Sequence, residues 1–183
     1  IADRVGGLDY VLIGADDPVA MLRHTQECRE RGVRFIADPS QQLAFADGET
    51  IRPLIDGADY LFTNEYESYL TETKTGWSQD EIDSRVTTRV ITRGKDGADI
   101  RTRGEDPIHV PVAGDVERVD PTGVGDAFRA GFLVGLAGGL GGGRRGRATL
   151  GGGRARGSGG RGGVLLAGQG DGLLAVGDAA RQR

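Results

Sequence analysis

The sequence predicts an α/β protein with a parallel sheet flanked by helices, on three observations. Short apolar runs alternate with amphipathic stretches through the first half of the chain, the pattern of repeated βαβ units. Helix start and stop signals fall between those runs. A glycine-rich turn then leads directly into a last amphipathic stretch.

The elements follow in order. Tyr10 to Gly14 (YVLIG) reads as a buried strand. Asp16-Asp17-Pro18 offers an N-cap and a proline in the first helical turn, and the helix should stop at Gly32. Val33 to Ala37 (VRFIA) is the next strand and runs into Asp38-Pro39-Ser40. A loop and a short helix near Thr50 to Ile55 precede a third strand, Tyr60 to Thr63. Asn64 caps a helix from Glu65, and Ser78 with Glu81 spells a second capping box. Arg89 to Thr92 is a fourth strand. Beyond Gly94 the pattern becomes hairpin-like, at Ala98 to Thr102 and Ile108 to Val112. A helix from Gly125 to Ala137 places Phe128, Phe132, Leu133 and Leu136 on one face.

Composition changes sharply after Ala137. Residues 138–183 hold more than half of the 33 glycines and no Lys, Glu, Ile, Phe, Tyr, Asn or Pro. Up to Ala137 there are 15 basic against 25 acidic residues, a balance of −10; beyond it there are 8 against 2, or +6. The sequence thus divides into a domain at 1–137 and a Gly/Arg-rich tail at 138–183. So few apolar side chains cannot offset the backbone entropy of so much glycine. The tail reads either as disordered or as the product of a shifted reading frame, because its residue types have GC-rich codons. GGRGG at Gly159 to Gly163 resembles one RNA-binding repeat. The acidic body argues against a nucleic-acid surface.

The single Cys excludes an intrachain disulfide and a thiolate metal cluster. Cys28 falls at helical spacing with Met21 and Thr25 and reads as a packed thiol. No run of about 18 apolar residues exists, so no membrane helix is expected. The N-terminus lacks the pattern of a signal peptide, and a reducing, cytoplasmic setting is the default. Trp77 and Tyr66 read as packing residues, and His24 and His109 as solvent-facing or structural.

Three motifs carry chemistry. The first is Asp120-Pro121-Thr122-Gly123-Val124-Gly125-Asp126-Ala127-Phe128. Its glycines let several N–H groups converge, and the helix start adds unpaired amides and positive potential. The result is an anion hole with a carboxylate, Asp126, at its mouth. By spacing alone, Asp126 could equally be a helix cap after a glycine turn. The second motif is Asn64-Glu65-Tyr66-Glu67, in which Asn64 and Glu67 share a helix face and offer oxygen ligands to a hard cation. The same two residues also spell a capping box. The third, Thr92-Arg93-Gly94-Lys95-Asp96-Gly97, ends a strand and as a bare pattern is a strand–turn. There is no Walker A sequence and no complete G-x-G-x-x-G after a strand, which disfavours P-loop ATPases and dinucleotide enzymes.

The D-P-T-G-V-G-D-A-F-R-A-G-F run resembles the C-terminal signature of the ribokinase-like (PfkB) kinases, and its proline variant resembles actinobacterial adenosine kinases. The N-x-x-E and T-x-G-x-x-G segments resemble two further family motifs, in the family's order. Asp38-Pro39-Ser40 resembles a third element, to which no role is assigned.

The resemblance implies a ribokinase-like three-layer fold, present in part, and an ATP-dependent phosphotransferase. The acceptor would be a hydroxymethyl group of a nucleoside, with adenosine going to AMP. Asp126 would be the catalytic base, and the amides of Gly123, Val124 and Gly125 would hold the transferred phosphoryl. Asn64, Thr92, Gly94 and Gly97 would line the ATP. Glu67 would hold Mg²⁺ through water, and Asp120 and Thr122 would border a K⁺ site. The implied partners are ATP and a nucleoside or sugar, with no nucleic acid or membrane, and a homodimer in the full-length protein.

Family members also carry an N-terminal half with a β lid and helices after the last motif. Neither is recognisable here, so an inactive fragment is expected. The alternatives are a ribose- or fructose-class sugar kinase, and a non-catalytic module whose Gly/Arg tail binds RNA.

Overall fold

The protein is described by a computed structural model covering residues 7–112 and 123–137, with two strands at 164–167 and 173–176. Strands β1 (Tyr10–Ile13), β2 (Phe35–Ala37), β3 (Tyr60–Asn64) and β4 (Thr88–Thr92) lie side by side in sequence order, all parallel. Helix α1 (Pro18–Arg31) joins the first two strands. Helices α2 (Gln42–Phe45) and α3 (Gly48–Ile55) join the next pair, and α4 (Glu65–Thr75) and α5 (Gln79–Arg85) the last. Strands β5 (Ala98–Thr102) and β6 (Ile108–Val110) extend the sheet antiparallel beyond β4. Helix α6 spans Val124–Ala137.

A sheet that grows in one direction through crossovers of one hand stacks its helices on one face. Strand residues alternate accordingly. Val11, Ile13, Phe35, Ala37 and Leu61 pack with Met21, Cys28, Ile51, Leu54 and Ile82 of the helices. Leu12, Ile36, Phe62 and Val90 point the other way and meet Leu133, Phe128, Phe132 and Leu136 of α6. The apolar face expected of α6 is the face that docks, and it completes the third layer.

The start and stop signals act as expected. The Asp17 side chain accepts from the Ala20 amide at 2.9 Å, Pro18 opens α1, and Gly32 ends it in the left-handed region at φ 63°. Both capping boxes form in full. Cys28 is buried.

Two expectations need correction. The short helix α2 lies where a loop was expected. Tyr66 is 64% exposed rather than packed, because the capping box turns Glu67 inward and leaves its neighbour outside. Trp77 does pack, with the Arg85 guanidinium 3.9 Å from its ring centre. Within the tail, where the sequence reading assigned no strand, lie β7 (Val164–Ala167), parallel to β1, and β8 (Leu173–Val176), antiparallel to β7. Both are short apolar runs flanked by glycine. The sheet order is β6-β5-β4-β3-β2-β1-β7-β8.

Arg89 of β4 is fully buried beneath α4 and α5. It donates to Ser68 Oγ at 2.6 Å and Glu72 Oε1 at 3.1 Å, with Asp83 Oδ1 at 3.6 Å. Only Nη2 is hydrogen-bonded; Nη1 meets Asp83 as an ion pair, and Nε has no hydrogen-bond partner among the described residues, so the burial of this guanidinium rests on its two carboxylates.

The connection between β4 and β5 is a single 3₁₀ turn, Gly94–Asp96, closed by Gly97 at φ 94°. A Cβ on Gly97 would lie 2.1 Å from the Val110 carbonyl oxygen. Gly97→Ala is therefore expected to lower stability by about 1–3 kcal/mol in chaotrope denaturation. Gly94→Ala, at φ 55° with nothing within 4 Å, should cost less. Equal losses would mean that backbone conformation alone matters there, and not the approach of β6.

Candidate active site

The parallel strands end on one edge, and the sequence motifs gather along it. This is where α/β sheets bind ligands, outside the carboxyl ends of their strands. Asp38 follows β2, Asn64 closes β3, and Thr92 closes β4 as the register partner of Asn64.

Helix α6 brings Asp126 to this edge. Gly123, at φ 75°, turns the chain into the helix, and its carbonyl accepts the first helical hydrogen bond, from the Ala127 amide at 2.9 Å. The amides of Val124, Gly125 and Asp126 precede that bond. They are the first-turn donors that a helix leaves without an intrahelical partner. The side chain of Asp126 is 86% exposed. Its one hydrogen bond among the described residues comes from Arg129 Nη1, at 3.1 Å. Asp120 and Thr122 lie outside the described residues.

Arg129 also donates to Asp38. Nη2 meets Oδ1 at 2.9 Å, and Nε pairs with Oδ2. The motifs did not single out either residue for a role. Asp126 and Arg129 are three apart on one helix, the spacing of facing side chains, and that was the available signal for Arg129. Asp38 comes from 91 residues earlier in the chain, a distance no local pattern spans.

Asn64 and Glu67 are locked to each other. Asn64 Oδ1 accepts from the Glu67 amide and Glu67 Oε2 from the Asn64 amide, both at 2.8 Å. Among the described residues, Glu67 Oε1 takes only the Ser40 hydroxyl, at 3.4 Å. Ser40 itself has a positive φ of 45°, a sparsely populated conformation for a residue other than glycine. Glu67 is 9% exposed, so one carboxylate oxygen at this edge has acceptor capacity to spare.

Among the described residues, no group of three or more His, Cys, Asp or Glu side chains is arranged to hold a metal ion directly. A single carboxylate with a free oxygen suits an ion that keeps its own waters, as Mg²⁺ commonly does. The Thr92–Gly97 turn sits on the neighbouring strand end. Its Arg93 pairs with Glu65 and with Asp99, the latter at 2.6 Å, which ties α4 to β5. His109 joins the same group through Asp99, at 2.7 Å. No described hydrogen bond links this turn to Asp126. Gly94 and Gly97 therefore border the site rather than share its network.

Burial pushes the Asp38 carboxyl up to about 6, against the pull of Arg129 and with Glu67 and Asp126 adding to the rise. The folded protein holds that proton more tightly than the unfolded chain does. The stabilisation from Asp38 is then complete below about pH 4, declines as pH rises towards about 6, and is absent above. Asp38→Asn should flatten the Tm–pH profile across that window. An unchanged slope would assign the titration to another group.

Comparison with known proteins gives the family. The model of the pfkB family carbohydrate kinases matches residues 3–145. The nucleoside kinase of Burkholderia thailandensis, solved in complex with inosine, superimposes with a TM-score of 0.68 and 45% identity over 72% of this chain and 44% of that one. The nucleoside kinase of Methanocaldococcus jannaschii is 32% identical over 52% of this chain and 32% of its own length. The ATP-dependent ribose-1-phosphate kinase of Halopiger xanaduensis is 31% identical over 72% of this chain and 42% of its own. The chain thus spans less than half the length of these relatives. With the match running from residue 3 to residue 145 and the strand-end site built on the same three-layer scaffold, the chain belongs to the pfkB family of carbohydrate kinases and shares the ribokinase-like fold of its nucleoside kinases.

Proposed function

We propose that this chain carries the phosphoryl-transfer half of an ATP-dependent nucleoside kinase, acting on the hydroxymethyl group of adenosine to give AMP. One observation carries the reading above the others. The first-turn amides of α6, which have no partner within the helix, and the Asp126 carboxylate stand together at the strand ends, an anion-binding surface with a proton acceptor at its rim.

In this reading Asp126 takes the proton of the acceptor hydroxyl as that oxygen attacks the γ-phosphorus of ATP. The bond from that phosphorus to the bridging oxygen of ADP breaks in the same transfer. The amides of Gly123, Val124 and Gly125 hold the phosphoryl oxygens, where preorganised donors are worth on the order of 3–4 kcal/mol each in other enzymes. Thr92, Gly94 and Gly97, with Asn64 beside Thr92, border the nucleotide. Mg²⁺, when bound, neutralises phosphate charge, and the spare oxygen of Glu67 would hold one of its waters. Asp120 and Thr122 are assigned to a K⁺ site by the motif alone. The nucleoside acceptor is favoured by the 45% identity to the Burkholderia thailandensis enzyme. A ribose-class acceptor is the second reading, supported by the 31% identity to the Halopiger xanaduensis kinase.

Two variants of the full-length gene product separate base from metal support. Asp126→Asn keeps size and much of the hydrogen bonding but cannot accept the proton. Turnover with adenosine should fall by at least about 10²-fold, with the KM for ATP little changed. Full turnover in that variant would reduce Asp126 to a helix-start residue. Glu67→Gln should leave Tm nearly unchanged, because glutamine at this position still completes the capping box. It should raise the Mg²⁺ concentration needed for half activity. A loss of Tm without a change in Mg²⁺ dependence would restrict Glu67 to its cap. Turnover compared across adenosine, inosine and ribose decides the acceptor class.

A further inference from the structure

Arg129 occupies an unusual place for a side chain on the outer turn of a helix. Its guanidinium is spread across two carboxylates of opposite surroundings. One is Asp38, 5% exposed at the end of β2, and the other is Asp126, whose side chain is 86% exposed. The Nε and Nη2 edge of the fork faces Asp38, and Nη1 is left for Asp126 Oδ1 at 3.1 Å. Only a planar fork serves both, because a lysine is a point charge without the second edge.

Two further features keep this arrangement in place. Gly125 has no side chain where Arg129 folds back, and a Cβ there would stand 2.9 Å from Arg129 Nη1. The backbone of Gly125, unlike that of Gly123, does not take a positive φ. A side chain at the second glycine of G-V-G-D would therefore push the Arg129 guanidinium aside without straining the turn. Asp38 is in turn fixed to the sheet, because its amide donates to the Ile13 carbonyl at 2.9 Å. The chain of contacts runs from the strand edge, through Asp38 and Arg129, to a single oxygen of Asp126.

We propose that Arg129 is a positioning residue for Asp126: anchored on the buried Asp38, it holds Oδ1 of Asp126 and leaves Oδ2 free toward the acceptor hydroxyl. The proposal rests on the reading of Asp126 as the base. A base that swings freely at an exposed helix start spends little time in the attacking geometry. Misplacement by about 1 Å can cost about 10²-fold in rate. Arg129 thus acts on turnover through Asp126 and makes no contribution of its own to nucleotide binding.

The test is a double-mutant cycle in the full-length gene product, read as kcat and the KM for ATP. Arg129→Ala should lose about 10- to 10²-fold in kcat with the KM for ATP within about twofold. In an Asp126→Asn background the same substitution should cost almost nothing further, because the group it positions is already disabled. Added guanidinium ion should restore part of the turnover of Arg129→Ala and none of that of Asp126→Asn. Full turnover in Arg129→Ala, an additive loss in the double variant, or a raised KM for ATP would overturn the positioning role. An Asp126→Asn variant with full turnover fails the base reading instead, so the two failures are distinct. If Arg129→Ala does not fold, Arg129→Lys and Gly125→Ala take its place. Both should show the same pattern at smaller amplitude, and normal turnover in both overturns the proposal.

Discussion

Everything at the strand-end site depends on how one helix is seated. Helix α6 meets the sheet through a run of edge-to-face aromatic contacts. Tyr60 lies 5.3 Å from Phe132, and Phe62 lies 5.1 Å from Phe132 and 6.3 Å from Phe128, between ring centres. Tyr10 extends the run at 5.7 Å from Tyr60. Such pairs are worth roughly 0.5–1.5 kcal/mol each beyond the area they bury. They also fix rotation about the helix axis, which plain aliphatic packing does less well. The rotation decides which residues of the first turn face the strand ends. A helix turned by one position would carry Asp126 away from Asp38, and the free amides would open onto solvent.

The site is economical in its use of groups. Asn64 and Glu67 complete a helix cap, and the same carboxylate keeps one oxygen for other work. Arg129 balances the charge of a buried Asp38 while touching an exposed Asp126. Glu67 and Asp126 both lie close enough to raise the Asp38 carboxyl, and Arg129 is the cation paired to Asp38 and Asp126. The excess negative charge suits a hydrated divalent cation better than it suits a bare phosphate. In the proposed reading the neutral amides of α6 are left to receive the phosphate. Separating these tasks lets one strand edge accommodate both signs of charge.

Much of this was legible in the sequence because it is local. The continuous apolar runs Val11-Leu12-Ile13 and Phe35-Ile36-Ala37 encode strands buried on both faces, and each capping box is written within four residues. The docking face of α6 could be read from Phe128, Phe132, Leu133 and Leu136. What escaped was non-local or masked by composition. The Asp38–Arg129 pair joins residues 91 apart. The strands at Val164–Ala167 and Leu173–Val176 were hidden by the glycines around them, since mean composition conceals a four-residue apolar run. Tyr66 was misread because an aromatic in an amphipathic segment suggests burial, whereas the inward turn of Glu67 decides the helix phase.

Cys28 has a consequence of a different kind. It is the one thiol in the 183-residue sequence, and it lies on the face of α1 that presses against the sheet. Burial pushes it up to about 11. At neutral pH the thiolate fraction is then on the order of 10⁻⁴ while the helix is docked. Alkylation can proceed at an ordinary rate only in the moments when α1 lifts away. The pace of that single modification therefore works as a clock for the opening of the helical layer, with no second sulfhydryl to blur the count.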